Sequence, residues 1–181
     1  MRWALATLGI GLLLALAPGL GTAAAQEKAA DPAVLQAYAN AYNSGDAAAA
    51  AASFTDNAVW VRPPATGPCS QQTPCVGRDA ILRQLQAGGV ANNQCLTILP
   101  TAVAGSVATA TVEVRADSMR AVGVERIRNV WLVQVAEDKI AALYVLNDLT
   151  DPQTNDWRAV QAGTQAPGEP IPNPATPCGS D

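Results

Sequence analysis

Residues 31–61 constrain the fold of this chain more than any other segment. Asp31 and Pro32 are typical of a helix start, because aspartate accepts bonds from free amide groups and proline is tolerated in the first turn. A glycine then interrupts the helical pattern, and Asp46 can cap a second helix in the alanine run that follows. Residues 57–62 have the apolar character of a strand. The segment therefore predicts helix, turn, helix and strand, and the first helix has an apolar stripe at Val34, Leu35, Tyr38 and Tyr42.

The rest of the chain predicts one α+β domain. A third helix is expected between Gly77 and Gly88, because an apolar stripe at helical spacing lies between these two glycines. Three helices followed by a four-strand antiparallel meander are typical of α+β folds. The four predicted strands are rich in β-branched residues and are separated by turn signals: residues 96–103, 107–117, 124–135 and 140–149.

Both ends of the chain differ in composition from this domain. Arg2 precedes an apolar run that leads to small residues, the layout of a secretory signal peptide cleaved after Ala25. The run is shorter than the roughly 20 residues that a membrane helix needs, so we expect a secreted or periplasmic protein without stable membrane insertion. A retained N-terminal anchor is the alternative. The expected organisation is a signal peptide (1–25), a linker (26–30), the domain (31–150) and a proline-rich, extended or disordered tail (151–181).

Charge and histidine content exclude several classes of function. The formal net charge is −4, and Lys28 and Lys139 are the only lysines, so the chain lacks the basic patch that nucleic acid requires. The sequence contains no histidine, which removes the usual general base and the commonest metal ligand. We therefore expect no metal and no other cofactor. Any catalysis has to use carboxylates, arginine, tyrosine, amides or bound water.

The four cysteines predict disulfides in a chain that we expect to be exported. Three pairings are open from the sequence alone. We favour Cys69 with Cys75, because they close a short loop between turn-forming prolines. This leaves Cys95 to hold the tail through Cys178. A zinc site is the competing interpretation, but the chain has no Cys-x-x-Cys pair.

Residues 31–150 resemble the nuclear transport factor 2-like domains, which include the SnoaL-like polyketide cyclases. The resemblance rests on the opening described above, on Cys75-Val-Gly-Arg-Asp-Ala-Ile81 and on Lys139-Ile-Ala-Ala in the last predicted strand. It implies a cone-shaped pocket between three N-terminal helices and a curved antiparallel sheet. The family includes isomerases, cyclases, hydrolases and plain binding modules, so the resemblance leaves the activity open.

Ketosteroid isomerases have this fold and imply roles for three residues. Tyr38 matches their oxyanion-binding tyrosine, and Asn129 lies within one residue of their second oxyanion donor. Their catalytic aspartate is matched by Arg62, which stays protonated and cannot accept a proton from carbon. The resemblance therefore implies binding of a carbonyl or phenolate and does not support isomerisation. A core tyrosine is the alternative interpretation of Tyr38.

Limonene epoxide hydrolases, which also have this fold, imply a role for Arg115 and Asp117. In those enzymes an arginine links two aspartates, one of which acts as an acid while the other activates water. Residues two apart on a strand share a face, so both side chains are expected to reach the pocket together. Val145 stands where the second aspartate is expected. A surface ion pair at a hairpin is the alternative interpretation.

We interpret the chain as an exported protein that holds a small, apolar or carbonyl-bearing molecule in its pocket. One alternative is a hydrolase or cyclase that uses Asp117 with a bound water. Another is a ligand-free module that forms a homodimer through the outer sheet face. Trp60 and Trp131 are pocket wall or core in each case. The candidate catalytic residues are Asp117, Arg115 and Tyr38, and the candidate ligand-binding residues are Trp60, Arg62, Asn129 and Trp131.

The cysteine pattern makes a prediction that peptide mapping under non-reducing conditions can check. The mature protein should contain no free thiol, and Cys69 should be recovered joined to Cys75. A peptide that links Cys69 to Cys95 or Cys178 would contradict this pairing. Four free thiols would also contradict export, since thiols of exported proteins tend to oxidise.

Overall fold

The computed structural model describes residues 29–64, 67–88, 93–172 and 178. The expected signal peptide and residues 26–28 of the expected linker lie outside the described residues. No helix among the described residues is long and apolar enough to cross a membrane.

The described residues form five helices and six strands. In chain order these are α1 (Ala33–Asn43), α2 (Ala47–Ala52), β1 (Phe54–Val61), β2 (Cys75–Val76), α3 (Arg78–Ala87), β3 (Cys95–Ala104), β4 (Val107–Arg115), α4 (Asp117–Arg120), β5 (Ile127–Ala136), β6 (Lys139–Asn147) and α5 (Pro152–Gln161). The helix–turn–helix–strand opening is as predicted, and the Asp46 side chain caps α2 by accepting a hydrogen bond from the Ala49 amide.

The strands form one curved, unclosed sheet in the order β2-β1-β6-β5-β4-β3. The predicted meander is present, because β3, β4, β5 and β6 pair as antiparallel neighbours. The first strand differs from the prediction of a wholly antiparallel sheet, since β1 pairs in parallel with β6. The sheet is therefore mixed, and the α+β fold class is confirmed.

The sheet has one packed face, because buried and more exposed side chains alternate along its strands. In β4 and β5 buried residues alternate with more exposed ones, so one row of side chains faces the helices. Tyr38 from α1 is packed at the centre of this core. Its ring centroid lies 5.4 Å from that of Phe54 in an edge-on contact and 5.8 Å from that of Trp131. The concave face is therefore apolar and aromatic, and α1 covers it.

The strand carrying Arg115 ends earlier than predicted. The chain leaves the sheet after Arg115 and forms the short helix α4, which begins at Asp117. Met119 is buried by this turn, which provides an apolar reason for the change of direction. Arg115 and Asp117 therefore do not lie on one strand, and the rule that residues two apart share a face does not apply to them.

The C-terminal segment also differs from the extended or disordered tail that we expected. It begins with α5, which starts from an aspartate cap and a proline in its first turn, the signal that also precedes α1. The chain is extended only after this helix, and the amides of Gly168 and Ile171 bond to the Val122 and Arg120 carbonyls. We call α5 together with residues 162–172 the C-terminal arm. Gly123 allows this approach, since a Cβ there would lie 2.9 Å from the Glu169 carbonyl oxygen.

A polar cluster fastens the start of the C-terminal arm to the sheet. One oxygen of Asp151 accepts a hydrogen bond from Arg126 Nη1 at 2.8 Å, and the other accepts bonds from the amide and the hydroxyl of Thr154 at 2.9 Å. Glu113 lies 3.2 Å from Arg126 Nε and 2.9 Å from Arg128 Nη2. The Thr154 hydroxyl in turn accepts a bond from the Arg128 amide at 2.8 Å. Because Asp151 is almost fully buried, these contacts are far less screened than an exposed ion pair.

Both expected disulfides are present. Cys69 is joined to Cys75 and closes the loop between β1 and β2. Cys95, the first residue of β3, is joined to Cys178. The C-terminal segment is thus held by ionic contacts at its start and by a covalent bond near its end.

The cluster around Asp151 predicts a large loss of stability in Asp151→Ala. This substitution removes a helix cap and leaves Arg126 without its closest partner, so the free energy of unfolding should fall by about 2–4 kcal/mol. Asp46→Ala is the matched control, because it removes an exposed cap with no arginine or lysine within 4.0 Å among the described residues. It should lower the free energy of unfolding by only about 1 kcal/mol. Denaturant titration measures both values.

The same cluster predicts how this difference depends on pH. Burial raises the pKa of Asp151, but the hydrogen bonds from Arg126 and Thr154 together lower it below its ordinary value of 3.8. A carboxyl with a lowered folded-state pKa stabilises the fold above its unfolded pKa, and this contribution is lost as the pH falls through the folded-state value. The gap between wild type and Asp151→Ala should therefore be constant near neutral pH and narrow below 3.8. A gap that widens in acid would contradict this assignment.

Candidate functional site

A cavity of about 530 Å³ lies between α1, the concave face of the sheet and α5. A volume of this size is in the range of sites that hold small organic molecules. Aromatic rings form much of its wall and come from four helices or strands: Tyr38 and Tyr42 of α1, Trp60 of β1, Trp131 of β5 and Trp157 of α5. Apolar side chains of the sheet and of α4 also line the cavity: Leu96, Val114, Met119, Ile127 and Val145.

Helix α5 supplies a part of the wall that the sequence analysis missed. Trp157, Arg158 and Gln161 line the cavity, and Ala162 follows at the helix end. Together with the buried Thr154 these residues have the i, i+3, i+4, i+7 spacing of a helix face turned toward a core. In the sequence, this spacing and the Asp151 cap are the signals that predict a helix with one face turned toward the domain.

Several polar atoms in the cavity wall are buried without a hydrogen-bond partner. Among the described residues, five buried side-chain nitrogen or oxygen atoms lack a partner, and four of them belong to residues that line the cavity. They are Trp60 Nε1, Arg62 Nε, Asn129 Oδ1 and Trp131 Nε1. Buried polar groups in proteins are almost always hydrogen-bonded, so this concentration in one wall distinguishes the cavity from the rest of the core.

Arg62 places a positive charge in this wall. It follows the last residue of β1, and its amide donates a 2.7 Å hydrogen bond to the Cys69 carbonyl, which fixes its backbone against the disulfide loop. Its guanidinium carbon lies 5.8 Å from the centroid of the Trp60 ring, within cation–π distance. Among the described residues no carboxylate lies within 4.0 Å of this guanidinium. Burial lowers the pKa of Arg62, while Tyr42 and Tyr38 raise it, and an arginine stays protonated even so.

The two tyrosines of the cavity are hydrogen-bond donors and not bases. Burial raises the pKa of Tyr38 well above its ordinary value, with a further contribution from Tyr42 and an opposing one from Arg62. Burial likewise raises the pKa of Tyr42. The Tyr42 hydroxyl donates to Gln94 Oε1 at 2.5 Å. Both rings therefore present protonated hydroxyls at neutral pH.

The structure brings together most of the residues that the sequence analysis selected. Five of the seven line the cavity: Tyr38, Trp60, Arg62, Asn129 and Trp131. Arg115 and Asp117 are not among the lining residues. The Asp117 carboxylate instead lies 3.3 Å from Asn93 Nδ2. Val145 does line the cavity, as expected for the place of the second hydrolase aspartate.

The lining residues favour binding over proton transfer. They include no aspartate, glutamate or lysine, and the chain has no histidine. Among the described residues no group of three cysteine, aspartate or glutamate side chains is arranged to hold a metal ion. The wall therefore offers hydrogen-bond donors, the guanidinium groups of Arg62 and Arg158, and apolar surface, but no side chain in it can act as a general base near neutral pH.

Comparisons with known proteins agree with this fold. A family model described as the SnoaL-like domain matches residues 35–143, more than half of the chain. No curated protein matches the chain.

Solved structures with the same fold share little sequence with the chain. A candidate polyketide cyclase from Sinorhizobium meliloti is 21% identical, with a TM-score of 0.52 over 64% of this chain and 94% of that chain. The epoxide hydrolase/cyclase-like enzyme SalBIII, which acts in pyran ring formation in salinomycin, is 19% identical, with a TM-score of 0.53 over 66% and 91%. A computationally designed 17-OHP binder is 15% identical, with a TM-score of 0.55 over 68% and 94%. At these identities the likeness concerns the fold alone.

The raised pKa values of Tyr38 and Tyr42 predict that these tyrosines do not ionise in the pH range where an exposed tyrosine does. Tyr38→Phe and Tyr42→Phe should give the same phenolate absorbance curve as wild type up to about pH 11, one unit above the ordinary tyrosine pKa of about 10. Spectrophotometric titration of the folded proteins measures this. Loss of part of the phenolate signal in either variant below that pH would show that the hydroxyl ionises readily, which would contradict a pKa raised by burial.

Proposed function

The chain belongs to the family of SnoaL-like domains, and we propose that it binds a small, mostly apolar molecule in the cavity between α1, α5 and the sheet. The observation that carries this proposal is the group of unpaired polar atoms in an otherwise apolar wall. An unpaired buried donor or acceptor destabilises a fold by about 1–3 kcal/mol. A ligand that supplies the missing partners offsets this cost, and the apolar surface supplies affinity.

Binding is better supported than catalysis of the epoxide hydrolase type. The resemblance to limonene epoxide hydrolases rests on Arg115 and Asp117, which lie outside the cavity lining. A hydrolase also needs a base that activates water, and the cavity wall contains no carboxylate. Among the solved structures with this fold, one is named as an epoxide hydrolase/cyclase-like enzyme and another as a designed binder. The fold alone therefore does not distinguish catalysis from binding.

We also propose that the protein is exported. Its two disulfides are compatible with an extracellular protein, since such bonds persist in oxidising compartments. The apolar run and the small residues before Ala25 support a signal peptide. Edman sequencing or mass spectrometry of the secreted fraction tests this directly, and an intact N-terminus in the cytoplasmic fraction would contradict it.

A homodimer remains a separate proposal. The convex sheet face exposes Leu132, Tyr144 and Leu146, which lie beside one another on β5 and β6. Apolar side chains grouped on a sheet face favour association. The homodimer proposal does not depend on the cavity, because these side chains and the cavity-lining side chains lie on opposite faces of the sheet. Neighbouring residues of one strand point to opposite faces.

The binding proposal predicts that only one of two adjacent substitutions on β6 reduces ligand occupancy. Val145→Trp places a large ring in the cavity and should reduce occupancy by a co-purifying small molecule at least about tenfold, because the ring fills the space that the ligand needs. Leu146→Trp is the matched control, since Leu146 is 51% exposed on the other face. It should leave occupancy unchanged. Native mass spectrometry of each protein, purified from its own host, measures the bound fraction.

Two outcomes would contradict the binding proposal. One is a wild-type protein that carries no small molecule. The other is equal occupancy in wild type and Val145→Trp, which would place the ligand elsewhere. Thermal unfolding of both variants shows whether the fold is retained.

A further inference from the structure

The charges around the cavity are all of one sign. Arg62 and Arg158 line it, while no acidic side chain does, although the whole chain carries a formal charge of −4. Nearby acidic groups have partners elsewhere. Asp151 and Glu113 pair with the arginines that fasten the C-terminal arm, and Asp148 accepts bonds from Thr150. The cavity is therefore a positive region in an acidic protein.

In the described part of the chain, three other arginines have carboxylate partners, and Arg62 does not. Arg78 lies 2.6 Å from Asp56, and Arg126 and Arg128 both contact Glu113. Arg62 has no carboxylate within 4.0 Å among the described residues, and its Nε is buried and unpaired. Arg62 as a whole is half-buried. A partly desolvated charge without a counter-charge is unfavourable, and an anion brought by a ligand reduces this cost.

The unpaired atoms of the cavity wall are mainly donors. The unpaired Trp60 and Trp131 nitrogens can only donate, and the Tyr38 hydroxyl stays protonated. Asn129 has an unpaired oxygen, but rotation of its amide by half a turn presents the NH₂ group in its place. A neutral carbonyl would satisfy one donor and leave the guanidinium without a counter-charge. A carboxylate satisfies both, because it accepts several bonds and carries the opposite charge.

We propose that the ligand of this cavity carries a single carboxylate, held at Arg62 beside Trp60 and Trp131, with an apolar body against the aliphatic wall. This inference rests on the proposed function, since it names the chemical class of the molecule bound there. The carboxylate end lies near the disulfide loop that fixes the Arg62 backbone. The apolar body lies toward Val114, Ile127 and Val145.

A pair of probes of nearly the same shape, one anionic and one neutral, tests the inference. 2-Naphthoate and 2-naphthamide have nearly the same shape, and isothermal titration calorimetry gives the Kd of each. Wild type should bind the naphthoate at least about tenfold more tightly than the amide, because only the naphthoate supplies a counter-charge. This comparison needs no variant and is unaffected by folding defects.

Two variants locate the charge that is responsible. Arg62→Gln should remove most of the preference for the naphthoate while changing the Kd of the amide by less than about threefold, and Arg62→Lys should restore part of the preference. Arg83→Gln is the control, because Arg83 is an exposed arginine of α3 that does not line the cavity. It should keep most of the preference, since exposed charges are screened.

The outcomes separate this inference from the proposed function. Equal Kd values for the two probes in wild type, or an unchanged preference in Arg62→Gln, would overturn the carboxylate inference and leave the binding function standing. Absence of binding by both probes would overturn both. Binding that Val145→Trp abolishes, combined with loss of the preference in Arg62→Gln, would support both.

Discussion

The contact between Asp151 and Arg126 determines whether the cavity has a wall on its C-terminal side. Asp151 caps α5 and binds a guanidinium that is also held by Glu113, so a single carboxylate orients the helix and fastens it to the sheet. Trp157, Arg158 and Gln161 reach the cavity because this helix is held there. Removal of the contact would free the helix start and open the space that α1 and the sheet enclose on the other sides.

The site combines an apolar interior with polar atoms that the protein itself leaves unpaired. Such atoms are normally avoided, because each one destabilises the fold. Under the binding proposal, a bound molecule supplies the partners that these atoms lack. The rest of the core follows the ordinary rules. Tyr38 packs edge-on against Phe54, and the buried rows of β4 and β5 alternate with exposed residues.

Local signals in the sequence were sufficient for most of the fold. The caps at Asp31 and Asp46, the glycine before α3 and the β-branched runs each act through neighbouring residues, so they can be identified without knowledge of the tertiary structure. The short helix α4 was missed because burial of Met119, a tertiary contact, decides it. The rule that residues two apart share a face requires an uninterrupted strand, but β4 ends at Arg115 and Asp117 begins α4. Helix α5 was missed for a different reason, since proline-rich composition farther along the tail obscured a good cap at Asp151.

Part of the candidate site was also predictable from local signals in the sequence. Trp60, Asn129 and Trp131 lie on strands, where alternation fixes the face that each side chain presents. The charge environment of Arg62 was not accessible from the sequence, because it depends on which acidic groups pair with other arginines in three dimensions. The same holds for the contribution of α5, which is close to the cavity in space but distant from α1 in the sequence.

The disulfide between Cys95 and Cys178 connects oxidation chemistry to the cavity. Cys95 lies between Gln94 and Leu96, which both line it, and Cys178 ends the segment that contains α5. A molecule that contacts α5 would hold the C-terminal arm against the sheet, and the Cys95–Cys178 bond ties the same part of the chain to β3. Linkage is reciprocal, so occupancy of the cavity and formation of this bond favour each other. A ligand present during oxidative folding would then act as a template for the C-terminal cross-link, and a reducing environment would weaken retention of the same ligand.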